Sequence, residues 1–340
     1  MTSQGAGEIL GVALAPLVDA RAAGLPMTYL VGHGARAYPV TALTWGLLAI
    51  SVAVVVLIAI LLLWGIVARR SKGPFGPTER DTLGSAEGGL SWIVGGVAVS
   101  SVALVASLIW TVIVVAEVAP PRNPALTISV TGNQWWWDVR YVNADPTQVF
   151  RTANEIHIPT GAPIRILLTS NDVIHNFWVP QLTGKTQTIP GRTNQTWLEA
   201  DRPGRYRGQC TQFCGLQHAH MALYVVAQPP AQFEAWRKAQ IEAAPAPTTS
   251  EAIEGAAIFL VKCAACHQVR GTDAGGQVAP DLTHLMSRET IAAGLEPNTP
   301  AGLSGWISNP QGLKPGTRMP TLYLSGAELT SVTDYLETLK

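Results

Sequence analysis

The chain has 340 residues, and its 23 basic and 23 acidic side chains give a formal net charge of zero. This balance gives no reason to expect a nucleic-acid partner, and we predict none. Charged residues make up only 14% of the chain and hydrophobic residues 47%, a composition typical of a protein that is partly in a membrane and partly outside it.

The first predicted segment, residues 1–40, lacks a basic start followed by an uninterrupted apolar core. We therefore predict no cleaved signal peptide in it. Its histidine, His33, is expected to be exposed to solvent.

Two membrane-spanning helices are predicted within residues 41–118. No charged residue occurs between positions 37 and 68, and the centre of this stretch, 47–63, is almost wholly aliphatic. A second charge-free stretch covers 88–116 and has a tryptophan near each end. Both stretches exceed the roughly 20 apolar residues that a bilayer core requires, so a buried globular helix is the weaker alternative.

The loop between the two predicted spans is basic. Arg69, Arg70, Lys72 and Arg80 place it in the cytoplasm, because positive charge is enriched in cytoplasmic loops. Both chain ends are then expected on the periplasmic side of a bacterial inner membrane. Neither span contains a histidine, so a haem or copper buried in the membrane would need ligands from another subunit.

Residues 119–228 carry the signals of an all-β domain. Residues 126–131 alternate apolar and polar side chains, as a half-buried strand does. Short strands separated by Gly, Pro and Asn predict a Greek-key β-sandwich. The three tryptophans at 135–137 cannot all face one core, because side chains alternate along a strand, so at least one is exposed or covers something. The further predicted strands are 135–142, 155–158, 164–169, 194–200, 205–210 and 221–227.

Potential metal ligands are concentrated in residues 210–221, which we call the copper loop. Cys210, Cys214, His218 and Met221 lie within these twelve residues, and His175 lies upstream. Thiolate, thioether and imidazole ligands together favour copper over calcium or magnesium. A disulfide and a structural zinc site are the alternatives, but neither needs Met221 or the His175 segment.

Residues 229–250 are predicted to be a linker. It starts with a short amphipathic piece that carries Phe233, Trp236 and Ile241 and ends in an extended segment stiffened by prolines.

A second cofactor motif lies in residues 251–340, which we predict to be an all-α domain. Cys263, Cys266 and His267 form the Cys-x-x-Cys-His signature of covalent haem attachment. A redox-active dithiol is the alternative, but it would need an α/β pattern that is absent here. The distal iron ligand is expected to be Met319 or His284.

Two helices are predicted to frame this motif. Gly255, Phe259 and Cys263 recur every four residues and indicate a helix that leads into the motif. Ser325 and Glu328 have the spacing of a capping box and predict the start of a final helix that packs against the first.

Two resemblances follow from these motifs. The copper loop and the His175 segment resemble the binuclear copper site, CuA, of cytochrome c oxidase subunit II, which implies a cupredoxin fold. The second motif and the segment around Met319 resemble class I cytochromes c, which favours Met319 over His284 as the distal ligand. The first resemblance also implies the copper ligands. Cys210 and Cys214 would bridge two coppers, and His175 and His218 would each bind one of them. Met221 and the backbone carbonyl of Gln212 would be weak axial ligands.

The first resemblance also implies a function. It implies that Trp135 lies where electrons enter the copper site, and that Gln212 replaces a glutamate that reaches a magnesium ion. The whole chain looks like subunit II of a caa3-type oxidase, which passes electrons from haem c through CuA to an oxygen-reducing subunit I. Implied partners are subunit I, further oxidase subunits, and a donor such as a cytochrome c or a bc1-type complex. The alternatives are the electron-input subunit of a CuA-containing nitric oxide reductase and a stand-alone membrane-anchored electron carrier.

Overall fold

A computed structural model of the chain describes residues 27–67 and 89–340. These residues form two compact units. One comprises the long apolar helices, and the other comprises the described residues up to position 38 together with residues 120–340. The loop that carries Arg69, Arg70, Lys72 and Arg80, and most of the N-terminal segment, lie outside the described residues.

The first unit contains two long helices, α1 (Ala37–Val67) and α2 (Gly89–Glu117). Both are long and apolar enough to cross a membrane, as the sequence predicted. At about 1.5 Å per residue, each exceeds the ~30 Å hydrocarbon thickness of a bilayer. Most side chains along them are exposed, and neither has a polar face, which suits lipid surroundings better than a globular core.

A β-sandwich forms the first part of the second unit, and we call residues 126–228 the β domain. One sheet has five strands in the order β3-β2-β1-β5-β8, and the other has three in the order β4-β10-β9. The β1–β5 and β4–β10 pairs are parallel, and the remaining pairs in these sheets are antiparallel. The strands are β1 Leu126–Asn133, β2 Trp136–Val142, β3 Phe150–Ala153, β4 Glu155–Pro159, β5 Ile164–Ser170, β6 His175–Phe177, β7 Thr186–Thr188, β8 Asn194–Leu198, β9 Gly204–Gln209 and β10 Ala222–Gln228.

The predicted β-sandwich is confirmed, and all seven predicted strands are present with ends shifted by at most two residues. Three short strands, β3, β6 and β7, were not predicted. Alternation brings Ile128, Val130 and Trp137 to the core, where none of them is exposed. Trp135 precedes β2 in a turn and is only 8% exposed, and Trp136 is half-buried. As predicted, the three tryptophans do not all face one core.

The end of the N-terminal segment contacts the β domain. The backbone N–H of His33 donates to the carbonyl of Gln181, and the His33 ring lies 5.9 Å from the ring of Tyr206. The expectation that His33 is exposed is therefore wrong, because its ring is half-buried in this contact. Arg36 adds hydrogen bonds to the carbonyl of Trp197 and the hydroxyl of Thr196.

Helix α3 (Pro230–Ile241) is the predicted amphipathic piece. Phe233 is buried in the core of the β domain, and Trp236 stacks on His157 with ring centroids 4.0 Å apart. The linker therefore begins as part of the β domain and becomes extended only after this helix.

The C-terminal domain, residues 250–340, consists mainly of helices. They are α4 Ser250–Lys262, α5 Pro300–Ser308, α6 Pro310–Leu313 and α7 Gly326–Glu337, and a two-residue ladder joins β11 Thr290–Ile291 to β12 Glu296–Pro297. The predicted capping box is present, since Ser325 accepts from the Glu328 N–H and Glu328 accepts from the Ser325 N–H. As predicted, α7 packs on α4, with the rings of Phe259 and Tyr335 5.5 Å apart.

Close packing of α4 on α7 depends on Gly255. A Cβ atom at this position would lie 1.8 Å from the carbonyl oxygen of Ser331, a backbone atom that cannot turn aside. We expect Gly255→Ala to push the helices apart and to lower the free energy of unfolding by about 1–3 kcal/mol or more. Gly305→Ala in α5 is the control, because no atom lies within 4 Å of its Cβ position. Thermal unfolding of the two variants checks this, and equal melting temperatures would contradict it.

Candidate metal centre and haem cavity

The copper loop is the connection between β9 and β10, and its ends are hydrogen-bonded to each other. The Cys210 N–H donates to the carbonyl of Met221 at 3.0 Å, directly beyond the paired residues Gln209 and Ala222. The loop therefore starts and ends at one point, which brings its first and last potential ligands together. Cys210, Cys214 and Met221 are all buried.

The two sulfur atoms are close enough to share a metal ion. Cys210 Sγ and Cys214 Sγ are 3.8 Å apart, and both cysteines are free. That separation lets one ion sit ~2.3 Å from both thiolates, a usual metal–sulfur distance. An S–S bond would instead need ~2.05 Å.

Each sulfur has an imidazole beside it. His175 Nδ1 lies 3.9 Å from Cys210 Sγ, and His218 Nδ1 lies 3.5 Å from Cys214 Sγ. Met221 Sδ is 3.9 Å from Cys214 Sγ, and the carbonyl oxygen of Gln212 is 3.3 Å from Cys210 Sγ. Four donors thus surround the two thiol sulfurs in a paired arrangement. Together the six donors exceed the four ligands of a structural zinc site and fit two soft metal ions.

The orientation of His175 is fixed by a residue that was not predicted. His175 Nε2 donates to the Asp172 carboxylate at 2.8 Å, which leaves Nδ1 directed toward Cys210. A carboxylate behind a histidine ligand fixes its tautomer in this way. Burial disfavours the charged imidazolium, but the hydrogen bonds with Asp172 and Cys210 outweigh it and raise the pKa of His175. The position of Asp172 three residues before His175 was the sequence signal from which this contact could have been predicted.

One of the two sulfurs is ionised at neutral pH. The hydrogen bond from Cys214 is the largest of several effects that lower the pKa of Cys210 to about 4. The same contact raises the pKa of Cys214, which keeps its proton until a metal displaces it. Cys210 is therefore already in the thiolate form that binds soft metals.

Trp135 covers one side of the copper loop. Its indole Nε1 and the amide of Gln134 both donate to the carbonyl oxygen of Cys214, at 2.9 Å and 2.8 Å. The Gln134 N–H donates to the Asp172 carboxylate at 2.7 Å. The turn before β2 therefore contacts both Cys214 and Asp172, the residue that orients His175. His220 hydrogen-bonds Gln217 and is exposed, so it lies beside the ligand group.

The haem motif lies at the C-terminal end of α4 and borders a cavity. Cys263 and His267 line this cavity, as does Met319 from a loop 52 residues further on. His267 Nδ1 donates to the carbonyl of Pro280 at 2.8 Å, which leaves Nε2 as the nitrogen that can bind iron. Burial lowers the pKa of His267 and so favours the neutral ring that a metal ligand requires.

The structure distinguishes the two candidates for the distal ligand. Both ring nitrogens of His284 contact backbone carbonyls, Nδ1 that of Lys340 and Nε2 that of Glu242 at 3.1 Å. His284 does not line the cavity, whereas Met319 does. The lining of the cavity therefore fits a haem that Cys263 would help to attach and that His267 and Met319 would hold as iron ligands. Asn154 of the β domain also lines the cavity, which the sequence did not predict.

Two known sequence families match this chain. Residues 126–228 match the periplasmic domain of cytochrome c oxidase subunit II, and residues 252–340 match cytochrome c. The chain carries a subunit II domain fused to a cytochrome c domain. The β domain with its copper loop is the subunit II domain, and the C-terminal domain with the haem motif is the cytochrome c domain. Copper and haem c are the groups that these families imply.

Similar proteins carry the same family name. The chain is 38% identical over 215 residues to cytochrome c oxidase subunit 2 of Alkalihalophilus pseudofirmus, which covers 63% of this chain and 61% of that protein. It is 35% identical over 227 residues to cytochrome c oxidase subunit 2 of a Bacillus species, with 63% and 62% covered. The matched region thus spans about three fifths of these curated relatives. The crystal structure of the subunit II periplasmic domain of Bradyrhizobium japonicum is 31% identical and covers 36% of this chain and 96% of that one, with a TM-score of 0.34.

The approach of His175 to the sulfurs requires Gly132. A Cβ atom on Gly132 would lie 2.6 Å from Cδ2 of the His175 ring. We expect Gly132→Ala to displace the ring and to weaken copper binding roughly tenfold or more, as other changes around metal ligands do. Copper stoichiometry and the electron paramagnetic resonance signal of the bound copper test this. Gly184→Ala is the control, because its Cβ position is open, and wild-type affinity in Gly132→Ala would contradict the assignment of His175.

The axial ligands of the haem can be tested with two variants. We expect Met319→Leu to abolish the absorption band that methionine ligation gives to ferric haem, because leucine has no sulfur. His284→Gln should keep the band, because both ring nitrogens of His284 already have carbonyl partners. Absence of the band from the unmodified chain, together with a changed haem spectrum in His284→Gln, would reverse the assignment.

Proposed function

We propose that this chain is subunit II of a caa3-type haem-copper oxidase, the subunit through which electrons reach an oxygen-reducing subunit I. The observation that carries this proposal is the contact between the two cofactor-binding loops: residues 314–319, which we call the methionine loop, lie against the copper loop and Trp135. A haem and a copper pair bound at these sites would each carry single electrons. No bond is made or broken on this chain.

The proposed ligands follow from the donor geometry. Cys210 and Cys214 would hold two copper ions together, and His175 and His218 would each supply a further ligand. Met221 and the carbonyl of Gln212 are the weak ligands, and a binuclear rather than a mononuclear centre is favoured by the paired arrangement. The side chain of Gln212 has no proposed role toward magnesium, since an amide is a weaker ligand for that ion than a carboxylate.

The residues around the copper loop hold it rigid. Asp172 orients His175, and Gln134 and Trp135 fix the carbonyl of Cys214. A ligand frame held at this many points rearranges little when an electron arrives, which suits an electron carrier. We propose Trp135 as the residue through which electrons enter the copper site, because its indole contacts the backbone of a bridging cysteine.

The proposed surroundings are those of a bacterial inner membrane. Helices α1 and α2 anchor the chain, and the basic loop between them is proposed to face the cytoplasm. The soluble unit then lies in the periplasm, where it receives electrons from a cytochrome c or a bc1-type complex. The boundaries at residues 40, 118, 228 and 250 remain predictions of where one part ends and the next begins.

The haem content of the native complex tests this function. A purification tag after Lys340 would recover the complex in mild detergent, and cells with the untagged chain would give the background. We expect haem a together with haem c in the pyridine haemochrome spectrum. Haem b with non-haem iron would instead indicate a nitric oxide reductase. Haem c alone, without a large membrane partner, would contradict both and leave a stand-alone carrier.

A further inference from the structure

Lys314 is an almost completely buried cation at the start of the methionine loop, with 2% of its surface exposed. Its Nζ atom donates to three backbone carbonyl oxygens, those of Trp135, His220 and Ala292, each at 2.8 Å. The first two belong to the β domain and the third to the C-terminal domain. Lysine is rarely buried, and an unpaired buried ammonium is strongly unfavourable. Here each of its three N–H groups has an acceptor.

These acceptors converge only where the two domains meet. Trp135 precedes β2, His220 lies at the end of the copper loop, and Ala292 follows β11. If the C-terminal domain moved away from the β domain, Lys314 would lose two of its three acceptors. Its buried position is therefore a property of the docked arrangement and not of either domain alone.

The rest of the methionine loop continues the contact. The carbonyl of Pro315 accepts from Gln217 Nε2 at 2.8 Å. Gly316 lies so close to Leu216 and the Trp135 ring that a Cβ there would be 3.3 Å and 3.5 Å from them. Arg318, next to Met319, lies 3.4 Å from the Asp172 carboxylate that orients His175. The loop that supplies a haem ligand thus covers the side of the copper loop at Trp135.

We propose that Lys314 is the positioning residue that keeps the C-terminal domain docked on the copper loop, so that electrons reach the coppers from the haem on the same chain. The inference rests on the proposed electron-transfer function. Docking covers Trp135 and so denies this residue to a soluble donor. With both groups bound, each transfer would take one electron from a ferrous haem held by His267 and Met319, leaving it ferric, to a copper pair held in the copper loop. No proton or bond is exchanged.

Chemical labelling tests the docking without any substitution. The intact chain in detergent is treated with an amine-acetylating reagent under native conditions, and each lysine is followed by mass spectrometry. Lys238 and Lys262 are exposed and should react quickly, whereas Lys314 should react far more slowly. Burial lowers the pKa of Lys314 to about 7, so slow labelling would report that the reagent cannot reach the amine and not that the amine is protonated. Labelling of Lys314 as fast as Lys238 would overturn the proposal.

A matched pair of variants tests the positioning role. Lys314→Met keeps the length of the side chain and removes its three donors, and Lys238→Met is the surface control. In Lys314→Met we expect haem-to-copper electron transfer, measured after flash reduction, to be roughly tenfold slower or more, because hydrogen bonds from a charged donor are lost. The effect of the ferric haem on the relaxation of the copper paramagnetic signal should weaken as well. Both cofactor spectra should remain unchanged.

Each outcome of the variant experiment is decisive. Lys314→Met with intact spectra, wild-type relaxation and a wild-type transfer rate would overturn the proposal. If Lys314→Met fails to bind its cofactors, the rate at which Lys314 is labelled in the unmodified chain tests the docking instead. These measurements report on docking within one chain and therefore do not depend on haem a. A complex that lacks haem a would contradict the proposed oxidase function. The role of Lys314 would still be tested by the labelling and by the Lys314→Met variant.

Discussion

The hydrogen bond from the Cys210 N–H to the carbonyl of Met221 is the constraint on which the metal centre depends. It closes the neck of the copper loop directly beyond the last paired residues of β9 and β10. Because the loop must return to its starting point within twelve residues, Cys214 Sγ folds back to within 3.8 Å of Cys210 Sγ. The strands of the sandwich hold both ends of the copper loop in place, and the loop in turn places the potential ligands close together.

Other parts of the β domain complete this frame from outside the loop. His175 lies on β6, a three-residue strand that pairs with β7. Asp172 fixes the ring of His175, and the turn before β2 fixes the carbonyl of Cys214. The centre is therefore assembled from three separate stretches of chain, so its stability is that of the whole sandwich and not of one loop.

Local patterns predicted most of the fold and of the ligand set. Alternation identified β1, short runs between Gly, Pro and Asn indicated the other predicted strands, and the capping box at Ser325 identified the start of α7. The ligand types in the copper loop were recognisable because they lie within twelve residues. The strands β6 and β7 escaped prediction, since three residues are too few to show a period, and their pairing is a tertiary contact.

Residues that act over long sequence separations could not be predicted. Lys314 contacts Trp135 across 179 positions, and nothing in its neighbourhood distinguishes it from a surface lysine. The residues themselves left Met319 and His284 as alternatives for the same reason, and only the resemblance to class I cytochromes c favoured Met319. The difference between them is that carbonyls from distant segments already occupy both nitrogens of His284. Gly132 likewise has no local signal, since its role is the space it leaves for His175.

The copper loop carries two large apolar side chains that are mostly exposed in the described structure, Phe213 and Leu216, and Leu216 lies beside Gly316 of the methionine loop. Phe213 is 77% exposed, and its ring lies 5.9 Å from that of His218. Water around an isolated phenyl ring is unfavourable, and exposed aromatic rings are common anchors at protein interfaces. The methionine loop lies against Trp135, which precedes β2, and leaves Phe213 of the copper loop exposed. The copper loop therefore keeps an apolar ring beside the potential ligand His218 that the C-terminal domain does not cover in the described structure.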